Sequence, residues 1–163
     1  MSLQSELEEN PESNLGAAEV SPVHKGLAVA CCSVAIASLV PVALVQLHAI
    51  DDLPDPPLRL FDSKMVVTSK SAYRFGIPDG VLGLGSYGVT LALLIAAKPS
   101  RPLVRKALRA KLALDGTMAV RNARKQVTQF SRVCFWCMGT AVATAGIIYF
   151  ARKARAAERS HRP

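Results

Sequence analysis

Two cysteines, Cys134 and Cys137, lie at the start of an apolar run within "QFSRVCFWCMGTAVATAGIIYF", residues 129–150. Their C-x-x-C spacing fits a disulfide across one helical turn, so the pair could exchange two electrons as dithiol and disulfide. At a helix N-terminus the helix dipole favours a thiolate, and Arg132 would add to that effect. The pair predicts redox chemistry if the fold places it near an aqueous face.

Other chemistries for the cysteines have less support. No histidine follows Cys137 directly, which argues against covalent haem. No second C-x-x-C and no nearby pair of histidines completes a zinc site, so we predict no metal centre. Cys31 and Cys32 are adjacent within another apolar run, and we interpret them as packing residues because free cysteine is among the most buried residue types.

Three runs without a charged residue are long enough to cross a bilayer, namely residues 26–47, 80–97 and 133–150. At a rise of about 1.5 Å per residue, the first of them covers the ~30 Å hydrocarbon core. The first run is also too long for a cleaved signal peptide and has no small-residue cleavage site followed by a soluble domain. The sequence therefore predicts an integral membrane protein.

The net charge of +8 at pH 7 is distributed as expected for a membrane protein. Most of the twenty Lys and Arg residues follow residue 97, next to the apolar runs. Basic residues at the ends of spans mark the cytoplasmic side and favour anionic lipid head groups. Because no aromatic residues are interleaved with these basic runs, we expect membrane lipid as a partner and no nucleic acid.

The domain prediction has three parts. Residues 1–24, rich in glutamate and poor in apolar residues, are predicted to be a disordered acidic tail, and residues 153–163 a basic cytoplasmic tail. Residues 25–152 form the membrane domain. Within it, residues 48–79 form a long loop with several prolines and aspartates, and its "RLFDSKMVV" segment is typical of a short amphipathic helix on the bilayer surface.

The segment 101–132 is predicted to be helical because it is rich in Ala, Leu, Arg and Lys and has no proline after Pro102. Two interpretations remain open. It is either a third span among four, unusually polar, in which Lys111 and Asp115 pair across one turn, or a solvated surface helix with an ordinary pair. The distribution of Lys and Arg favours four spans with both termini in the cytoplasm. The expected fold is all-α, a membrane four-helix bundle with a long loop after its first helix.

Trp136 lies between the two cysteines and offers a flat apolar surface. A dithiol beside such a surface at a membrane face could meet a quinone dissolved in the bilayer, because both exchange two electrons. We therefore include Trp136 among the candidate quinone-binding residues.

Two stretches resemble the vitamin K epoxide reductase family and its bacterial homologues. The run "SKSAYRFGIPDGVLGLGSYGVTLALL", residues 69–94, is similar to the family's Ser-x-Tyr, Gly-Ile-Pro and Gly-x3-Tyr pattern at its second span. The run "FSRVCFWCMGTAVATA" resembles the family's active-site C-x-x-C at the head of its fourth span. With matching span spacing, the resemblance covers about residues 22–152.

The resemblance implies a four-helix membrane bundle around a quinone of the ubiquinone or menaquinone type. Cys134 and Cys137 would be the catalytic redox pair, and Cys137, one turn deeper, would face the quinone. Asp79 would lie near a quinone carbonyl. The implied activity is a thiol–disulfide oxidoreductase in the bacterial inner membrane, which supports disulfide formation by passing electrons from a thioredoxin-like periplasmic dithiol protein to quinone.

The sequence departs from the family at the loop. Relatives usually carry a second cysteine pair there, with one cysteine six residues before the serine matched by Ser71, whereas this sequence has Met65 at that position and no cysteine between residues 48 and 79. An external thiol would therefore have to reduce a Cys134–Cys137 disulfide directly. The alternative is a catalytically degenerate relative that acts as a membrane-embedded interaction or scaffold protein, with the C-x-x-C kept for packing.

Overall fold

The computed structural model describes residues 11–74 and 76–160, with the side chains of residues 11–21, 74, 159 and 160 left aside. The described part is mostly helical. Its elements in chain order are α1 (Pro11–Gln46), α2 (Ser63–Val67), a 3₁₀ turn (Lys70–Ala72), β1 (Tyr73–Arg74), β2 (Ile77–Pro78), α3 (Asp79–Ala96), α4 (Pro102–Lys125), a π-helical turn (Gln126–Phe130) and α5 (Phe135–Ser160).

Helix α1 is longer than the first apolar run because it begins at Pro11. Proline is well suited to a first helical position, where its missing N–H would lack an intrahelical partner in any case. Residues 11–24 belong to this helix, whereas the sequence predicted a disordered tail over residues 1–24. Residues 1–10 lie outside the described residues. The helix also contains Pro22 and Pro41.

Two helices of the described part are long and apolar enough to cross a membrane, Pro22–Gln46 within α1 and Asp79–Ala96, which is α3. They correspond to the first two predicted spans. The third predicted run, 133–150, is not among the described helices that are long and apolar enough to cross a membrane. Helix α5 begins only at Phe135, so Val133 lies outside it, and its second half carries basic residues from Arg152 onward.

Helix α1 packs against α3 and α5, and α4 packs against the same two helices. Residues of α1 three or four positions apart form the buried stripe of this contact, which is the spacing of one helix face. The stripe consists of Ala28, Cys32, Ala35 and Leu39. Facing it on α5, a Cβ on Gly146 would lie 2.9 Å from the sulfur of Cys31. The small residues allow α1 and α5 to approach closely.

A buried polar cluster joins α4 to α3. Lys111 and Asp115 form the ion pair expected from their spacing, and the side chain of Asp115 is only 5% exposed. The hydroxyl of Thr90 donates to Asp115 Oδ2 over 2.6 Å, and Lys111 Nζ donates to Ser86 Oγ over 2.9 Å. Because both charges are paired and hydrogen-bonded, the polar face of α4 can pack against α3 at an acceptable cost.

Contacts at one end of the helices bring basic residues to helix C-termini. Lys25 Nζ donates to the carbonyl oxygen of Ala97 over 2.8 Å, just after the end of α3. Arg105, near the start of α4, pairs with Glu158, near the end of α5, over 2.8 Å. The long helices therefore alternate in direction, and the loop after α1, the start of α3, the end of α4 and the start of α5 lie at the opposite end.

The long loop predicted between the first two spans is present, but its short helix does not lie free on a surface. In α2, Val66 and Val67 are buried against α1 and the start of α5, together with Val42 and Cys134. The short helix predicted for this segment is therefore present, but its two valines pack inside the protein. Its apolar side is covered by the protein itself, because the loop folds over the helix ends.

We predict that Asp115→Ala lowers the melting temperature of the protein in detergent, because Lys111 would remain buried without its counter-charge. The expected loss is about 3 kcal/mol of stability. The double variant Lys111→Met/Asp115→Leu should recover most of that loss, since an apolar pair replaces the ion pair. Equal melting temperatures for Asp115→Ala and the exposed control Arg109→Ala would contradict this account.

Candidate redox site

The segment before α5 is held by the loop through backbone hydrogen bonds. Phe61 and Val133 form an isolated parallel bridge. The N–H of Val133 donates to the carbonyl oxygen of Leu60 over 3.0 Å, and the N–H of Asp62 donates to the carbonyl oxygen of Val133 over 3.2 Å. These bonds fix the position of Cys134, which follows directly.

The first N–H groups of a helix have no intrahelical acceptor and need others. At the start of α5, side chains from two other elements accept these N–H groups. The N–H of Cys134 donates to Gln126 Oε1 over 2.8 Å, from the π-helical turn, and the N–H of Phe135 donates to Ser63 Oγ over 3.0 Å, from α2. Both Gln126 and Ser63 are buried. The start of α5 is therefore tied to α2 and to the end of α4.

The two cysteines of the C-x-x-C are in direct contact as free thiols. The N–H of Cys137 donates to the sulfur of Cys134 over 3.1 Å. Cys134 has no exposed surface and packs among apolar residues of α1 and α2, whereas Cys137 lines an internal cavity. One sulfur therefore faces the loop and the other faces the interior between the helices.

Hydrogen bonds to its sulfur lower the pKa of Cys134 below the ordinary value of 9.0. The largest cause is the hydrogen bond with the side chain of Cys137, and burial opposes it. The backbone N–H of Cys137 and the hydroxyl of Ser63 lower the pKa further, while the charge of Asp55 raises it. A lowered pKa makes Cys134 the more easily formed thiolate, and the thiolate is the nucleophile in thiol–disulfide exchange.

Asp55 and Ser63, both from the loop, form a tight pair next to Cys134. Ser63 Oγ donates to Asp55 Oδ1 over 2.5 Å, and the N–H of Ser63 donates to Asp55 Oδ2 over 2.6 Å. Ser63 Oγ also accepts the N–H of Phe135, so this pair lies directly beside the segment that carries Cys134.

A cavity of about 290 Å³ lies between the helices beneath this pair. Its volume is near the lower end of the ~300–1,000 Å³ typical of small-molecule sites. Apolar side chains from α1, α2, α3 and α4 line most of it, and Cys137 and Asp79 both lie on its wall. Its wall also carries polar groups, among them Ser86, Asp115 and Gln126, so the cavity offers an apolar surface together with several hydrogen-bonding groups.

Asp79 is oriented by a buried glutamine of α1. Gln46 Nε2 donates to Asp79 Oδ1 over 2.8 Å, and Gln46 Oε1 accepts the N–H of Gly80 over 2.9 Å. A Cβ at Gly80 would lie 2.7 Å from Gln46 Oε1, so only glycine fits this close approach. The start of α3 and the end of α1 therefore hold the Asp79 carboxylate at the cavity wall.

The other predicted site residues are placed differently. Trp136 was predicted as an apolar surface for the quinone, but it does not line the cavity, and its Nε1 donates to the carbonyl oxygen of Pro54 over 3.3 Å. The reason is helical geometry, since neighbouring residues of a helix point in directions about 100° apart. Arg132 donates to the carbonyl oxygen of Arg59, so its guanidinium is engaged by the loop.

No pattern in the sequence indicated that Ser63 is the loop residue at the start of α5. The resemblance placed Met65 at the position of a loop cysteine, but Met65 is 41% exposed, and the loop residue that bonds the start of α5 is Ser63, whose Oγ accepts the N–H of Phe135. Asp55, Ser63, Gln126 and Gln46 gave no signal in the sequence. Single polar residues in a loop or at a helix end have no diagnostic spacing, and only the folded loop brings them to the site.

Comparison with known proteins identifies a family. The model of the vitamin K epoxide reductase family matches residues 26–151, from α1 into α5. The match includes the loop, the cavity residues and the C-x-x-C. No curated protein and no solved structure matches the chain.

We predict that Cys137→Ala moves the pH midpoint of Cys134 alkylation upward, because the largest cause of the lowered pKa is removed. Cys137→Ser keeps a side-chain donor and should leave the midpoint closer to that of the unmodified chain. Both variants would be made with Cys31 and Cys32 replaced by alanine, and labelling of Cys134 would be measured by mass spectrometry. An equal shift in both variants would contradict the assigned hydrogen bond.

Proposed function

The chain belongs to the vitamin K epoxide reductase family, and on this premise we propose that Cys134 and Cys137 pass electrons from a thiol partner to a membrane quinone. Family membership indicates a membrane thiol oxidoreductase. The observation that carries the finer proposal is the placement of two contacting thiols, with Cys134 beneath the loop and Cys137 on the wall of the cavity.

This placement assigns one sulfur to the thiol partner and the other to the quinone. Cys134, at the loop, is the sulfur that an external dithiol partner reaches when the loop moves aside. Attack by a partner thiolate on Cys134 breaks the Cys134–Cys137 bond, and a second partner thiolate then releases Cys134 and forms the partner's disulfide. The protein thereby gains two electrons and two protons as a dithiol. A thioredoxin-like periplasmic dithiol protein fits this role.

In the opposite half of the cycle, the dithiol closes to a disulfide and gives up two electrons and two protons, which a quinone accepts when bound. Cys137 is the sulfur positioned for this step because it lines the cavity. In this step the S–H bonds of both thiols are replaced by one S–S bond, and the two electrons would pass to the bound quinone through Cys137, while Cys134, whose lowered pKa favours the thiolate, supplies the nucleophilic sulfur.

We assign Asp79 to contact with a quinone carbonyl because it is a polar group on the same cavity wall and is fixed by Gln46. A carboxyl group donates a hydrogen bond to a carbonyl only in its protonated form. The contact therefore requires Asp79 to carry a proton. Trp136 has no part in this assignment, since it lies outside the cavity. The quinone is of the ubiquinone or menaquinone type.

For the membrane arrangement we propose a four-helix bundle formed by α1, α3, α4 and α5. Lys25, Arg105 and the basic end of α5 lie at one end of the helices, and the cysteines lie at the other. Basic residues favour the cytoplasmic side, so the cysteines face the periplasm of a bacterial inner membrane. The buried Lys111–Asp115 pair supports α4 as a polar span within the bundle.

One observation favours a second candidate, a degenerate relative that serves as a membrane-embedded interaction protein. The loop over Cys134 contains Ser63 and Asp55 and no cysteine, so a cysteine shuttle through the loop is absent from residues 48–79. This candidate expects no bound quinone after purification and thiols that resist alkylation under all conditions.

We predict that Cys137→Ala abolishes quinone reduction by a thiol donor, because no disulfide can form at the cavity. Cys31→Ala should leave the rate within about a few-fold of the unmodified chain, since its thiol lies in the contact between α1 and α5. Rates would be measured by quinol formation in proteoliposomes that contain ubiquinone or menaquinone. Equal losses for the two variants would refute the assignment of the redox pair.

A further inference from the structure

The side chain of Gln126 lies between the redox pair and the cavity. Gln126 is the first residue of the π-helical turn, is only 5% exposed, and is one of the residues that line the cavity. Its Oε1 accepts the N–H of Cys134 over 2.8 Å. Short π-helical turns are rare and often lie at functional sites. Gln126 therefore joins the segment that carries Cys134 to the wall of the cavity.

The bond to Cys134 decides which end of the Gln126 amide is left for the cavity. A backbone N–H needs an acceptor, and the acceptor of a glutamine side chain is its oxygen. The Nε2 group, with two hydrogens to donate, is therefore the end that is not used at Cys134. Within the described part of the chain, these hydrogens have no acceptor. Gln126 thus brings an unused hydrogen-bond donor to a cavity wall at a buried position.

Other polar side chains on this wall already use their hydrogens inside the protein. Ser86 Oγ donates to Asp115 Oδ1 over 3.2 Å, and Thr140 Oγ1 donates to a carbonyl oxygen of its own helix over 3.2 Å. The hydroxyl of Tyr87 is bonded to a threonine hydroxyl of α5 over 2.5 Å. Among the buried residues described on this wall, the amide of Gln126 therefore stands out as the donor left for a ligand.

An unused amide N–H selects a ligand with an accepting oxygen. An unpaired buried donor costs free energy, which a ligand oxygen can recover by accepting its hydrogen bond. A carbonyl oxygen accepts and cannot donate, so it matches Nε2 of Gln126. A 1,4-quinone carries two carbonyl groups at opposite ends of its ring, and Asp79 is assigned to one of them. The other carbonyl has no partner in that assignment.

We infer that Gln126 is a quinone-binding residue, whose Nε2 donates a hydrogen bond to the second carbonyl oxygen. The inference rests on the proposed function, because it adds a binding residue to the same cavity. Asp79 donates only after it takes up a proton, whereas an amide donates without one. Because the oxygen of the same amide holds the N–H of Cys134, one side chain contacts both the ligand and the redox segment.

The experiment measures binding without turnover, using the full chain in detergent. The parent and every variant carry Cys134→Ala, which prevents the disulfide but keeps the backbone N–H that Gln126 accepts. Cys134 is not one of the residues that line the cavity. The probe is 2,3-dimethyl-1,4-naphthoquinone, whose quinone ring has no free position for a thiol to add to. The control ligand is 2,3-dimethylnaphthalene, which has the same fused rings without carbonyl groups. Dissociation constants are measured by isothermal titration calorimetry.

Gln126→Met has a similar volume and no N–H, so it should weaken binding of the quinone by about five- to tenfold, the effect of one neutral hydrogen bond. Binding of dimethylnaphthalene should not change. The matched control is Asn122→Leu, which removes an amide from an exposed position on the same cavity wall. It should leave the dissociation constants of both ligands unchanged.

Gln126→Glu separates binding of the ligand from support of Cys134. Its carboxylate still accepts the N–H of Cys134, and that bond favours the ionised form, which has no hydrogen to donate. This variant should lose quinone binding at least as strongly as Gln126→Met. Melting temperatures identify any variant that fails to fold, and the other variant then decides the test.

Equal quinone affinity in the parent and in Gln126→Glu would overturn the inference, since Gln126 would then serve only to support Cys134. Equal weakening of both ligands in Gln126→Met would do the same. The proposed function fails separately if the chain with both cysteines binds the quinone through Gln126 but does not reduce it with a thiol donor. A parent that binds no quinone would refute the inference and the proposed function together.

Discussion

The start of α5 depends on acceptors that its own helix cannot supply. Gln126 and Ser63 provide them for the N–H groups of Cys134 and Phe135, and the backbone of the loop pairs with Val133. An unpaired buried N–H costs about 1–3 kcal/mol, so these contacts determine where the loop folds. The same contacts cover Cys134 and tie α2 to α5.

Buried polar residues also join the long helices to one another. Gln46 joins α1 to the start of α3 and orients Asp79 at the cavity wall. The Lys111–Asp115 pair lets a charged helix pack against α3 and complete the enclosure. Because Lys111 and Asp115 are paired with each other, the helices can pack around these two charges. The cavity that the helices line therefore carries apolar side chains together with polar ones, among them Cys137, Asp79 and Asp115.

Sequence patterns were most informative where a physical period or spacing was involved. Uninterrupted apolar runs located α1 and α3, and the four-residue spacing of Lys111 and Asp115 correctly indicated an ion pair. The third run was less informative, because the helix begins at Phe135 and leaves Cys134 in the preceding segment. The family resemblance carried by Gly-Ile-Pro and the C-x-x-C agrees with the family match.

The rest of the site depends on tertiary contacts that no local pattern specifies. Ser63 and Asp55 meet Cys134 only because the loop folds back over α5, and a sequence comparison alone directed attention to Met65 instead. The position of Trp136 also depends on the folded structure. Its place between the cysteines suggested a shared surface, but one step along a helix turns a side chain by about 100° and away from the cavity.

The central claim is that Cys134 and Cys137 form a two-electron pair linked to the cavity. The most direct test is an anaerobic titration, in which a soluble quinone is added in substoichiometric portions to the fully reduced protein. The account predicts one quinol formed per protein, with a disulfide between Cys134 and Cys137 found by mass spectrometry and with Cys31 and Cys32 still reduced. Thiols that remain free at Cys134 and Cys137 while quinone is unchanged would contradict it.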